Sequence, residues 1–379
     1  NIFIFQAFDI GDDINLEAIQ KSQKLIEQPQ EITKYFKNYH TPLSVELPHP
    51  HHTGKCIAAN IHHFGVIGLV YQIPFNSSLE DLRKDLASID NTYTEQSVAD
   101  ARSLYNKIKK YVYQSKFFQH RTSYAVIQAD PNKSITDIDE LKTRYGSIIS
   151  SMLRLEGVQL SREQKEDILE ENIGYYRKDF VVVDTESAFV YDKDYDELLT
   201  FFEFANIQQL ELQYFDKILD HQLNFFYEQK TPKISIRSYL PFVGLKTGGP
   251  IEELDRLRVD ISVITERLEN SIKLAGEAYY SELYEHLSEK LGLENWKKSI
   301  EKKLAIIRDI KTVYNDKINT LREHMLETLI IILILIEIIS IIPFLPNFEM
   351  NFQEKRMNLL EFYLKVTFKT SFTYFYYKK

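Results

Sequence analysis

The stretch "LIIILILIEIISIIPFL", Leu329–Leu345, constrains this chain more than any other. It continues a helical pattern without a breaker, and its apolar side chains would cover every side of a helix. A helix of that kind needs burial all round, and no other segment of the 379 residues is large and apolar enough to provide it. Its 17 residues reach about 26 Å at about 1.5 Å each, the short end of a bilayer span. The sequence therefore predicts a single C-terminal transmembrane helix over 328–346. Leu329, Ile332, Leu335, Glu337, Ile341 and Leu345 would form its membrane segment. Glu337, near the middle, is costly in lipid and calls for protonation, a facing helix, or a tilted span. Lys317 and Arg322 precede the run and Lys355 and Arg356 follow it, so charge gives no orientation. The tail 347–379 mixes aromatic residues with lysines, as a membrane interface does, while Leu364, Val366 and Phe368 also alternate as in a strand.

Upstream, the densest cluster of chain breakers is Pro232, Pro241, Gly244, Gly248, Gly249 and Pro250. It divides an N-terminal α+β domain (1–233) from a helical region across a linker (234–250). In the first part, "NIFIFQAFDI", Lys55–Ile61, Val66–Ile73 and Thr122–Ala129 are β-prone. Phe180–Val183 and Ala188–Tyr191 predict a further hairpin. Helices are expected from Asn15, from Ser77 through a capping box with Glu80, and over about 95–111, 135–155 and 161–172. A long amphipathic helix is expected from Asp196. Hairpin-connected strands make the fold class α+β rather than doubly wound. Beyond the linker, Leu254, Leu257, Ile261, Ile264 and Leu268 follow a heptad seam, and a second apolar run starts near Trp296. Residues 251–327 are therefore expected to form an antiparallel, coiled-coil-like helical hairpin that turns near Gly292.

A net charge of −9 argues against nucleic-acid binding as the main global mode. One cysteine excludes an internal disulfide framework. The densest chemistry is "HPHHTGKCIAANIHHFG", with His49, His51, His52, Cys56, His62 and His63 as candidate metal ligands. These residues have the donor atoms of a zinc site but none of its spacings, and the preferred reading is a polar loop, a strand and a turn. Asp192, Asp194, Asp196 and Glu203 match four positions of a calcium loop, yet Glu197 stands where the sharp turn requires Gly. "GLKTGGP" (244–250) lacks phosphate-loop spacing, and no G-x-S-x-G is present. No catalytic residue and no cofactor is assigned.

The stretches "FVVVDTESAFVYD" and "LLTFFEFANIQQLELQYFDKILDHQLNFFY", followed by a charged helical region and an apolar segment, carry a resemblance. The chain resembles the mitochondrial "required for meiotic nuclear division" proteins and their uncharacterised bacterial relatives over roughly residues 55–345. The resemblance implies an α+β domain on the matrix or cytoplasmic side of an inner membrane, a C-terminal anchor, and oligomerisation. It also implies a tether that helps translation at the membrane, and it brings no enzymatic activity.

Together these observations predict a non-enzymatic, membrane-anchored scaffold or tether. Its soluble domain would bind a protein or ribonucleoprotein partner, and its hairpin and anchor would build a homo-oligomer. The alternative is a metal-dependent enzyme or sensor using the His49–His63 cluster. A weaker third class is a channel lined by Glu337.

Overall fold

A computed structural model describes residues 1–28, 41–47, 55–118, 120–132, 135, 137–176, 179–228, 259, 261 and 278–341. Its contacts divide the chain into two units, residues 1–232 with 247–311, and residues 233–246 with 312–379.

Strand β1 (Ile2–Asp9) shows why the first unit is layered. All of its residues are buried, so both faces of the strand must be covered. Phe3, Phe5 and Ala7 enter one hydrophobic core, while Ile2, Ile4 and Phe8 enter another. The other strands are β2 (Leu43–Val45), β3 (Cys56–Ile61), β4 (Val66–Ile73), β5 (Arg121–Ala129), β6 (Asn172–Ile173), β7 (Phe180–Val183) and β8 (Ser187–Tyr191). They form an eight-stranded sheet in the order β2-β3-β4-β1-β5-β8-β7-β6. Every pairing is antiparallel except β5 with β8.

Helices α1 (Leu16–Lys21), α2 (Leu79–Ile108), α3 (Ile138–Leu153) and α4 (Arg162–Glu170) share one core with one face of the sheet. Helix α5 (Asp196–Glu228) covers the other, together with α6 (Ala278–Lys290) and the first turns of α7 (Leu293–Ile341). Burial of Phe201, Phe202 and Leu219 on α5 contributes about 1.5–3 kcal/mol each. The Tyr280 ring of α6 stacks on Phe201 at 5.1 Å, and Lys303 of α7 bonds Asp216 and Asp220 of α5 at 2.7 Å each. The first unit is a mixed α+β sandwich of helix, sheet and helix layers.

Local signals place most helix starts. Asn15, Asp137 and Ser161 each cap a helix by accepting a backbone N–H three residues on. The cap of α2 is Ser78 with Asp81, one residue beyond the Ser77–Glu80 pair expected from sequence. Where two helices were expected after it, one 30-residue helix forms.

The C-terminal expectation is overturned. Among the described residues no helix is long and apolar enough to cross a membrane. Leu329, Ile332, Leu335, Glu337 and Ile341 lie on α7, and Leu345 lies outside the described residues. Within the described residues the apolar part of α7 runs from Leu329 to Ile341, about 20 Å of rise against a hydrocarbon core of about 30 Å. Arg322, Glu323, His324 and Glu327 fill the turns just before it. The single C-terminal span, the membrane as a partner and the mitochondrial or bacterial inner-membrane location, which the resemblance had also implied, are withdrawn with that helix. Most of the Leu254–Leu268 seam, the 234–250 linker and the 347–379 tail lie outside the described residues.

Candidate functional site

The strongest polar constellation among the described residues lies between the sheet and α5. On β3, Asn60 and the following His62 face the same side as Ala58, while Ala59 and Ile61 enter the opposite core. On α5, Glu203, Ile207 and Glu211 recur every four residues on one side of the helix, Glu203 partly buried and Ile207 and Glu211 fully so. The Asn60 amide donates to the Glu203 carboxyl at 2.6 Å. Gly68 on β4 leaves room for this meeting. A side chain there would begin 3.1 Å from Glu203 Oε1, 3.6 Å from Ile207 Cδ1 and 3.7 Å from His62 Nε2.

A second carboxyl pair continues the seam. Asp9, at the end of β1, accepts the Gly11 N–H at 3.0 Å, and its charge raises the Glu211 carboxyl. Thr122 of β5 donates to the Asn206 carbonyl at 2.9 Å, holding α5 on the sheet nearby.

Burial sets the electrostatics of these groups. It pushes the Glu203 carboxyl up to about 7, against the lowering effect of the Asn60 hydrogen bond. It pushes Asp9 up to about 7 as well, opposed by Gly11 N–H and assisted by Asp12. Glu211 is raised by burial first, then by Asp9 and Asp12. His62 is driven down to about 3, by burial and then by His63, and is therefore neutral at physiological pH. The seam is a set of protonatable groups of which Asp9, His62 and Glu211 are buried and Glu203 is partly exposed. Its partly exposed member, Glu203, gives it a route to exchange protons with the medium.

The sequence candidates fall in different places. His49, His51 and His52 lie outside the described residues. Cys56 opens β3 and His62 follows its end, six residues apart and thus about 20 Å along the strand. The Cys56 thiol is pushed up to about 12 by burial and then by Asp100, which suits packing rather than nucleophilic attack. His62 and His63 both pack on the Phe64 ring, at 5.3 and 5.1 Å. Glu203, the twelfth position of the calcium-loop pattern, sits two turns into α5 against Asn60. Asp192 meanwhile accepts the Asp194 N–H in a local turn. Among the described residues no group of three or more His, Cys, Asp or Glu is placed to hold a metal ion. The "GLKTGGP" stretch lies outside the described residues.

Sequence inspection missed Asp9, Asn60, Glu203 as a core group, and Glu211. The available signal was two glutamates eight residues apart on the apolar stripe of α5, where a solvated glutamate has no place.

The family model described as "Uncharacterized protein MJ0711, N-terminal domain" matches residues 1–197. The chain belongs to this family. The match covers all eight strands and stops in the first turn of α5, so it includes Asp9, Asn60, His62 and Gly68 but ends before Glu203. The "Uncharacterized protein MJ0711" of Methanocaldococcus jannaschii is 29% identical over 235 residues, covering 61% of this chain and 68% of that protein. No solved structure matches the chain. The first 50 residues, outside the resemblance to the meiotic-division proteins, lie within this family's domain.

Proposed function

We propose that this member of the MJ0711 family is a non-enzymatic scaffold that assembles with copies of itself through α7. On this reading its sheet domain binds a protein or ribonucleoprotein partner. The observation that carries the reading is the exposed apolar surface of α7 in the second unit. Leu326, Leu329, Ile330, Ile331, Ile332, Leu333, Ile334, Ile336 and Ile338 are each at least 40% exposed. Contiguous apolar surface of that extent marks an interaction site in a folded protein.

A second surface suits a partner on the sheet domain. Tyr175 and Tyr176, just after the edge strand β6, are 66% and 70% exposed and meet edge to face at 4.8 Å. Exposed, mutually braced tyrosines are typical anchors of protein interfaces. The pattern likeness to the meiotic-division proteins, with their tether-like role in translation, points in the same direction.

Crosslinking of a mixture of ordinary and heavy-isotope chains tests the assembly. The expected result is mixed-isotope crosslinks at Lys317, on α7. Crosslinks confined to single-isotope pairs would overturn self-assembly.

A further inference from the structure

A groove of about 460 Å³ opens beside the C-terminal end of α2 and is lined by Lys24, Asn106, Lys107, Lys109 and Lys110. Four of these five residues carry ammonium groups, and none carries a carboxylate. The cations come from two separate parts of the chain. Lys24 follows α1, where Gln23 adopts a left-handed backbone with φ of 51° that non-glycine residues rarely take. The other lysines sit on the last turn of α2 and the 3-10 turn Lys109–Tyr111 after it. The bond from Asn15 N–H to the Tyr111 carbonyl at 3.0 Å, with the bridge between Ile14 and Val112, ties the two parts together.

Tyr111 is the fixed point of the groove. The Lys110 ammonium lies 4.5 Å from the centre of its ring. Its hydroxyl is held below the ordinary phenol range, first by Lys110 and then by the Ser22 hydroxyl, with Lys24 also contributing. Charge from both segments thus acts on Tyr111.

Lysines at a helix C-terminus complement its dipole, and that alone accounts for Lys107, Lys109 and Lys110. It does not account for Lys24, which adds like charge from another segment to the same groove. In a chain of net charge −9, four convergent cations with no lining carboxylate reverse the local sign. The volume falls within the range of about 300–1,000 Å³ usual for small-molecule sites and is too large for one phosphate alone.

We propose that this groove is an anion site for a ligand bearing two or more neighbouring phosphates, supplied by a nucleoside polyphosphate or by RNA backbone. Lysine ammonium groups serve such ligands as mobile point charges, and here they are held within reach of one another. The inference does not depend on the scaffold reading.

Titration calorimetry of the full chain with tripolyphosphate, and separately with an oligouridylate of about twelve nucleotides, tests it at about 0.15 M salt. Lys24→Gln with Lys110→Gln removes two exposed cations from the groove, while Lys84→Gln with Lys193→Gln removes two exposed cations elsewhere. The groove variant is expected to weaken the bound probe by about tenfold or more, and the control by less than about twofold. Tripolyphosphate binding with that pattern assigns the small ligand, and oligouridylate binding with that pattern assigns RNA. Failure of both probes to bind, or equal losses in both variants, would overturn the proposal.

Discussion

The side-chain amide of Asn60 donates to the carboxyl of Glu203 at 2.6 Å, joining β3 to α5 across 143 positions of the chain. Asn60 is buried and Glu203 partly so, and the Asn60 carbonyl oxygen has no hydrogen-bond partner among the described residues. The contact therefore fixes α5 to the sheet at a point where a change of charge is costly.

Stability should fall as pH rises from about 4.5 to about 7. Glu203 and Asp9 are both raised to about 7 by burial, so the folded protein holds their protons more tightly than the unfolded chain does. Their contribution is complete below the ordinary carboxylate range, is lost as pH climbs through about 7, and changes no further above it. Urea unfolding at pH 5 and pH 8 should differ by about 2.5 kcal/mol for each of the two groups, in favour of pH 5. Glu203→Gln should flatten the profile and be the more stable form at pH 8. A Gln variant that tracks the wild-type curve would contradict this account of the seam.

Gly68→Ala should cost about 1–2 kcal/mol, because the new methyl group begins 3.1 Å from the Glu203 carboxyl oxygen and must displace it. Gly65→Ala should cost more than about 3 kcal/mol. Gly65 has φ of 100°, and an added Cβ would lie 1.7 Å from the Gly11 carbonyl oxygen. Thermal unfolding of the two variants should rank them in that order.

Arg154→Ala should lower stability by about 1–3 kcal/mol in urea unfolding. Arg154 Nε lies 2.7 Å from Asp184 Oδ2, and the Asp184 side chain is only 3% exposed. Asp184 is also fixed through its backbone, accepting the Tyr124 hydroxyl at 2.9 Å and donating to Ser187. With the arginine gone, a buried carboxylate oxygen keeps its desolvation cost and loses its counter-ion. A loss below about 0.5 kcal/mol would place the pair among ordinary surface bridges.

Patterns that depend on near neighbours were legible from sequence. β1, β3, β4, β5 and the β7–β8 hairpin lie within a residue or two of where alternation and turn residues placed them. The Ser161 cap and the long α5 were equally readable, because a cap and an amphipathic stripe are local. The two-sided sheet was not, since it needs β1 to pair with both β4 and β5 and β5 to run parallel to β8. The seam escaped for the same reason: Asn60 and Glu203 look unremarkable until a long-range pairing sets them face to face. The apolar run on α7 misled because the sequence reading placed a span over 328–346, whereas among the described residues no helix is long and apolar enough to cross a membrane. Charged turns lie immediately upstream of Leu329 on the described part of α7.

The most direct measurement is the solution mass of the full chain by light scattering after size exclusion, beside the variant Ile330→Gln, Leu333→Gln, Ile334→Gln. These three exposed residues share one side of α7. The scaffold account predicts an oligomer for the wild type and a monomer for the variant, with the same thermal transition of the sheet domain in both. A monomeric wild type at tens of micromolar, or a variant that stays fully assembled, would contradict it.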